Sequence, residues 1–251
     1  MYFLWSLLLL LFEAAAAVAV GSLAYTAPLA FVAVTSGLVL VMGFGLEWQR
    51  LLHEFPYFFS GVLSWRKRVV MMASAVFETS GKALMAGFAA LLAFGGTDQN
   101  RLLVLSIVMA IAIFAGTGLL RRAYWTFGAR PVRWGYFRLV VPLGLLFSAF
   151  IQIALLAGFL DTQTVQQVAR SFVFDLPAQA SYEQVMELIF QVRQMLDGLL
   201  ASLIVQVLGP EWLVPASILI SLNILSGFFI AIYAVIIGEF LLRMEERIVR
   251  S

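Results

Sequence analysis

Residues 102–122, LLVLSIVMAIAIFAGTGLLRR, decide the fold class of this chain. Nineteen residues without a formal charge precede Arg121 and Arg122. An apolar stretch of about 18 residues or more is long enough to cross a bilayer as a helix. Comparable runs occupy residues 3–24, 28–46, 69–94, 139–160 and 212–242. The sequence therefore predicts an all-α, polytopic membrane bundle of about six transmembrane helices.

The composition of the 251-residue chain supports a single transmembrane domain. Hydrophobic residues make up 63% of the chain and charged residues only 12%, which is too little polar surface for a soluble domain of this size. No polar stretch is long enough for a separate soluble domain. Cysteine is absent and His53 is the only histidine, so we expect no disulfide, no metal centre and no cofactor. The net charge of +2 indicates no nucleic-acid partner.

The basic residues predict the orientation of the chain. Four lie within residues 47–68, five within 121–138 and three after residue 242, which together are twelve of the 16 in the chain. These regions alternate with the predicted spans, so they share one side of the membrane. Because Lys and Arg favour the cytoplasmic side, the pattern predicts six spans with both termini in the cytoplasm. The expected location is a bacterial inner membrane.

Residues 161–209 form the longest stretch between two predicted spans and would lie outside the cytoplasm. Ser181 and Gln184 have the spacing of a capping box. Apolar residues then recur at steps of three and four as far as Leu203, which predicts an amphipathic helix over residues 181–208. Its last part, residues 199–208, is too short to span a membrane. It could lie in the interface, enter the membrane as a re-entrant half-helix, or pack on a partner.

Charged and amide side chains inside the predicted spans are candidates for a functional site, because they are costly in a bilayer. Glu13 lies in the first span, and Glu78 and Lys82 lie four residues apart in the third. Counted along their own helices, all three are near the membrane midplane. Asn223 and Gln152 are further polar candidates. The group could be an ion or proton site, or a structural cluster that holds helices together.

The loop at residues 121–138 combines basic and aromatic residues. We expect it to contact lipid headgroups or a cytoplasmic partner, beyond its part in setting orientation. Its candidate contact residues are Arg121, Arg122, Arg130, Arg133 and Arg138.

No catalytic motif is present, so the chain is predicted not to be an enzyme and no catalytic residue is assigned. The favoured function is that of an integral subunit in a larger transport or secretion assembly. Its expected partners are membrane lipids and other membrane subunits or copies of itself. The alternative is a self-contained channel or proton-coupled transporter that uses Glu13, Glu78 and Lys82. A lipid-modifying membrane enzyme is the weakest of the three hypotheses.

Overall fold

The computed structural model describes residues 2–58, 64–95, 98–131, 138–160, 181–220 and 222–250. Throughout these ranges the regular structure is helical. The α-helices are α1 (Tyr2–Thr26), α2 (Pro28–Phe58), α3 (Trp65–Phe94), α4 (Gln99–Phe127), α5 (Val140–Leu156), α6 (Tyr182–Leu208), α7 (Leu213–Ile220) and α8 (Gly227–Arg250). Two 3-10 helices, Pro210–Trp212 and Leu222–Ser226, flank α7.

Five of the described helical stretches are long and apolar enough to cross a membrane. They are Leu4–Thr26, Pro28–Phe55, Trp65–Phe94, Gln99–Phe127 and Asn223–Arg247. This agrees with a helical membrane bundle, and it places the first four predicted spans on α1 to α4. The fifth predicted span, 139–160, corresponds to the 17 residues of α5, which extend only about 26 Å at 1.5 Å per residue.

The sixth predicted span, 212–242, is not one continuous helix. It is divided among the 3-10 turn at Pro210–Trp212, α7, the 3-10 turn at Leu222–Ser226 and the first part of α8. At the second of these turns the chain crosses α5, and the two backbones are in direct contact. A Cβ atom on Gly144 would overlap the carbonyl of Ile224, and one on Gly227 would overlap the carbonyl of Val140. Glycine at both positions therefore permits a crossing that any other residue would obstruct.

The helices α2 and α4 run well past the apolar runs that predicted them. The stretch 47–58, which lies between two predicted spans, continues α2 to Phe58. Glu47, Arg50 and Glu54 lie three and four residues apart, so they form ion pairs along one helix face and favour its continuation. Helix α4 continues past Leu120 to Phe127 and ends at Gly128, whose φ of 67° is left-handed.

The core of the bundle surrounds α8, the most enclosed of the five candidate spans. Two thirds of its apolar stretch is buried, against 28% for α1 and α2. Phe31 of α2 stacks on Tyr233 of α8 and meets Phe94 and Phe229 edge-on, with ring centroids 5.1–5.7 Å apart. Thr35 and the Tyr233 hydroxyl form a hydrogen bond of 2.9 Å across the same interface. These contacts hold α2, α3 and α8 together.

The predicted capping box at the start of α6 is confirmed. The Ser181 hydroxyl accepts from the Gln184 N–H, and the Gln184 side chain accepts from the Ser181 N–H. Helix α6 packs mainly on the Pro210–Trp212 turn and α7, with a smaller contact to α3. The first part of the predicted outer segment, 161–180, lies outside the described residues.

Candidate functional site: two charged clusters at one end of the bundle

The first charged group, here called the α2–α3 cluster, consists of Glu47, Arg50, Glu54, Glu78 and Lys82. Lys82 Nζ contacts Glu47 Oε1 and lies 3.8 Å from Glu78 Oε2. Arg50 Nη1 lies 3.1 Å from Glu47 Oε2, and its Nη2 lies 3.1 Å from Glu78 Oε2. Arg50 Nε is 3.5 Å from Glu54 Oε1. The cluster therefore joins the two helices through ion pairs.

Glu47 is the most enclosed member of the α2–α3 cluster. Its side chain has no exposed surface, whereas Lys82 is 25% exposed and Glu78 is 35% exposed. A carboxylate removed from water needs a cationic partner to remain charged. Lys82 and Arg50 supply that partner from two directions.

The second group, the α1–α4–α8 cluster, consists of Glu13, Thr117, Arg121, Trp125 and Glu245. Arg121 Nη1 donates to Glu13 Oε2 at 2.7 Å, and its Nη2 donates to Glu245 Oε1. The Thr117 hydroxyl donates to Glu13 Oε1, and Trp125 Nε1 donates to Glu245 Oε2 at 3.0 Å. One guanidinium thus links α1, α4 and α8.

Every carboxylate oxygen of the α1–α4–α8 cluster accepts a hydrogen bond from a different donor group. Glu13 is only 2% exposed and Glu245 only 9%, so these hydrogen bonds replace the contacts with water that both side chains lose on burial. Chemically, this arrangement is suited to holding three helices together in a fixed relation.

The structure divides the candidate residues that the sequence placed in one group. Lys82 lies beside Glu78 and Glu47, whereas Glu13 lies beside Arg121. Asn223 is buried in the turn at Leu222–Ser226, and Gln152 is half-buried on α5. These two lie toward the other end of the bundle, because α8 runs from the 222–226 turn to Glu245 and α5 crosses it antiparallel. They join neither cluster.

Each cluster joins a residue inside one apolar run to a residue at the end of a neighbouring run. Glu47, the partner of Lys82, immediately follows the apolar run of α2, and Arg121, the partner of Glu13, immediately follows that of α4. The turns between α1 and α2 and between α3 and α4 are short, so these neighbours are antiparallel. Both clusters therefore include residues at the basic end of the bundle. The midplane depth of Glu13, Glu78 and Lys82 stays a prediction.

Two of the basic residues proposed for headgroup contact form ion pairs with acidic residues of the chain. Arg121 belongs to the α1–α4–α8 cluster, and Arg130 Nη2 lies 3.7 Å from Glu246 Oε1. Arg122 and Arg138 are exposed, and Arg133 lies outside the described residues. Contact of these five residues with lipid headgroups or a partner stays a prediction.

Sequence reasoning missed the acidic partners Glu47, Glu245 and Glu246, and it missed Arg50 as a cluster member. The spacing of Glu47, Arg50 and Glu54 was a usable signal for a charged helix face. No comparable signal pointed to Glu245, which lies 124 residues from Arg121 along the chain. Within the described ranges, no three His, Asp or Glu side chains converge to hold a metal ion.

Comparison with known proteins adds no functional information. No protein-family model, curated protein or solved structure gives a significant match to this chain. The functional argument therefore depends on the geometry of the chain itself.

Proposed function

We propose that this chain is a non-enzymatic integral subunit of a larger transport or secretion assembly in a membrane. The observation that carries the proposal is the exposed apolar surface of α6. Leu199 is 43% exposed, Leu203 55% and Val207 76%, at four-residue steps along one face, while Ile204 is 5% exposed and packs within the chain. Helix α6 therefore has one covered face and one apolar face that another molecule must cover.

A neighbouring subunit is a better candidate than lipid for covering that apolar face. The apolar part of α6, residues 195–208, extends only about 21 Å, which is less than the roughly 30 Å hydrocarbon core. An apolar helical face of this kind is a common docking surface for a partner helix. The two charged clusters support the same proposal, because they fix the arrangement of the helices.

The proposal includes an orientation and a location for the chain. We place α5 and the segment from α7 to α8 as the fifth and sixth crossings, with both termini in the cytoplasm and α6 on the opposite side. The excess of basic residues at one end of the bundle supports this orientation. A bacterial inner membrane is the corresponding location.

A proton-coupled transporter is the second candidate function, and one observation favours it. Carboxylates outnumber cations by one among the members of each charged cluster. Glu47 Oε2 is buried and lies 3.1 Å from Arg50 Nη1 without the alignment of a hydrogen bond. The surplus acidic group and the unaligned Glu47 oxygen are the features that support this candidate.

Leu203→Asp tests the subunit proposal, with Ile204→Asp as the matched control. A charge at the exposed Leu203 should abolish cross-linking to one defined protein neighbour in native membranes and leave the thermal stability of the isolated chain unchanged. A charge at the buried Ile204 should lower that thermal stability. Cross-linking would be measured through a photoreactive group at residue 207 and mass spectrometry of the product.

Two results would count against the subunit proposal. One is a photoreactive product that contains lipid alone. The other is a pure, solitary chain in liposomes that moves protons along a pH gradient and loses this activity in Glu47→Gln. The second result would establish the transporter alternative.

A further inference from the structure

Where α4 ends, the chain folds back and forms a groove with α8. Gly128, with its φ of 67°, ends α4 and lets the chain turn. Pro131 then packs near Gly238 of α8. The α4–α8 groove has an apolar base, to which Pro131 and Leu242 contribute buried side chains, and Tyr124 also lines it.

Four charged side chains complete the α4–α8 groove, two of each sign. Arg243 Nε lies 3.1 Å from Glu239 Oε1, and Arg130 Nη2 lies 3.7 Å from Glu246 Oε1. The two guanidinium groups are at the mouth, since the Arg243 side chain is 67% exposed and that of Arg130 is 54% exposed. The carboxylates are deeper, with 13% exposed for Glu239 and 24% for Glu246.

The α4–α8 groove lies at the border of the apolar layer. Arg243 immediately follows the apolar part of α8, and Tyr124 lies on the part of α4 beyond Arg121 and Arg122. The nearby rings of Phe127 and Phe240 are 82% and 49% exposed. Exposed aromatic side chains beside charged ones are typical of the headgroup level of a membrane.

We propose that the α4–α8 groove binds a phosphoethanolamine headgroup, supplied by a phosphatidylethanolamine molecule of the adjoining leaflet. The ammonium is at the far end of this headgroup and would contact the deep carboxylates of Glu239 and Glu246. The phosphate comes next and would accept from Arg130 and Arg243 at the mouth. The glycerol and acyl chains would then extend toward the exposed aromatic side chains and the bilayer.

The balance of charge selects this headgroup over the other common ones. A purely anionic headgroup would match the two guanidinium groups but would meet repulsion from the two carboxylates. A choline headgroup has no N–H to donate to a carboxylate, whereas a primary ammonium has three. The ion pairs already present are partly exposed, and such pairs contribute little to stability. Glu246 Oε1 also accepts a hydrogen bond from the Tyr124 hydroxyl, so the ammonium would share this carboxylate with Tyr124.

The test is lipid retention by the full-length chain, measured by native mass spectrometry after equal additions of phosphatidylethanolamine, phosphatidylcholine and phosphatidylglycerol. Phosphatidylethanolamine should be retained preferentially. Glu239→Gln should reduce its retention about tenfold, the scale of one charge-assisted hydrogen bond, without reducing phosphatidylglycerol retention. Arg243→Gln, at a more exposed position, should reduce the retention of both lipids. Glu54→Gln, a partly exposed acid of the α2–α3 cluster, is the control and should change neither.

Three outcomes would overturn the proposal. The first is equal retention of the three lipids. The second is unchanged phosphatidylethanolamine retention in a monodisperse Glu239→Gln sample. The third is displacement of the lipid by an equal concentration of soluble glycerophosphoethanolamine, which would show that the groove binds a free headgroup compound and does not require the membrane-anchored lipid.

Discussion

At the scale of single residues, two cations account for much of the polar structure of the bundle. Lys82 forms an ion pair with a carboxylate that has no exposed surface, and Arg121 forms ion pairs with two carboxylates that lie on different helices. Removing one partner of a buried ion pair is far more costly than replacing both, because a lone buried charge remains. This asymmetry gives predictions that separate true partners from near neighbours.

Lys82→Met should destabilise the chain by about 3 kcal/mol or more, because it leaves Glu47 with Arg50 as its remaining cation. Adding Glu47→Gln should restore most of the loss. Adding Glu78→Gln should restore less, since Glu78 is partly exposed and lies 3.8 Å from Lys82 Nζ. Thermal unfolding in detergent would measure all three variants. Equal rescue by the two second substitutions would contradict the assignment of Glu47 as the main partner.

Arg121→Gln should lower the unfolding temperature strongly, whereas Arg122→Gln should have little effect. Arg121 carries the link between Glu13 and Glu245, while its neighbour Arg122 is exposed. Breaking a buried network of this kind costs about 3–5 kcal/mol, and an exposed charge usually contributes less than about 1 kcal/mol. The same unfolding assay on both variants measures the difference, and similar losses would show that Arg121 is no more important than any basic residue at this border.

At the scale of helices, close approach at glycine decides where the final segment bends. The mutual fit of Gly144 and Gly227 places α5 against the start of α8, and the segment before Gly227 is a 3-10 turn. Gly116 similarly admits Ala234 and Leu143, with the nearest atoms 3.0 Å from a Cβ placed on it. These small residues pack inside the bundle and serve helix approach within one chain.

Gly144→Ala should prevent the native crossing and reduce the yield of folded protein. A methyl group there meets backbone atoms, and backbone cannot move aside as a flexible side chain can. Gly37→Ala is the matched control, because a Cβ at Gly37 meets nothing within 4 Å. It should be neutral or stabilise α2 by up to about 1 kcal/mol. Size-exclusion chromatography and thermal unfolding would compare the two variants, and a stable, monodisperse Gly144→Ala would rule out the close crossing.

At the scale of the whole molecule, charge is distributed unequally between the two ends of the bundle. The ion-pair clusters, the α4–α8 groove and most basic residues are at one end, whereas α6 and its exposed apolar face belong to the other. This separation underlies the proposed orientation, with lipid contact on the cytoplasmic side and a protein neighbour on the opposite side.

Cysteine labelling at the two ends of α4 tests the orientation directly. The chain contains no cysteine, so each introduced thiol is unique. Gln99→Cys should react with a membrane-impermeant maleimide in intact cells, and Thr126→Cys should react only after permeabilisation. Both positions are exposed, and Gln99 leaves the Asp98 cap of α4 in place. The opposite pattern would reverse the orientation.

The sequence by itself determined that this is an apolar helical protein of the membrane class, where the long apolar helices α1 to α4 lie and where α6 begins. Those features depend on the composition of one segment or on residues a few positions apart, such as the Ser181–Gln184 capping box. Only the tertiary structure decided that Glu13 pairs with Arg121, that Lys82 pairs with Glu47, and that the last predicted span bends beside α5. The physical reason is that the partner of a charged side chain depends on the axial offset between its helix and the neighbouring helix. That offset is set by close packing at positions such as Gly144 and Gly227, far apart in the chain.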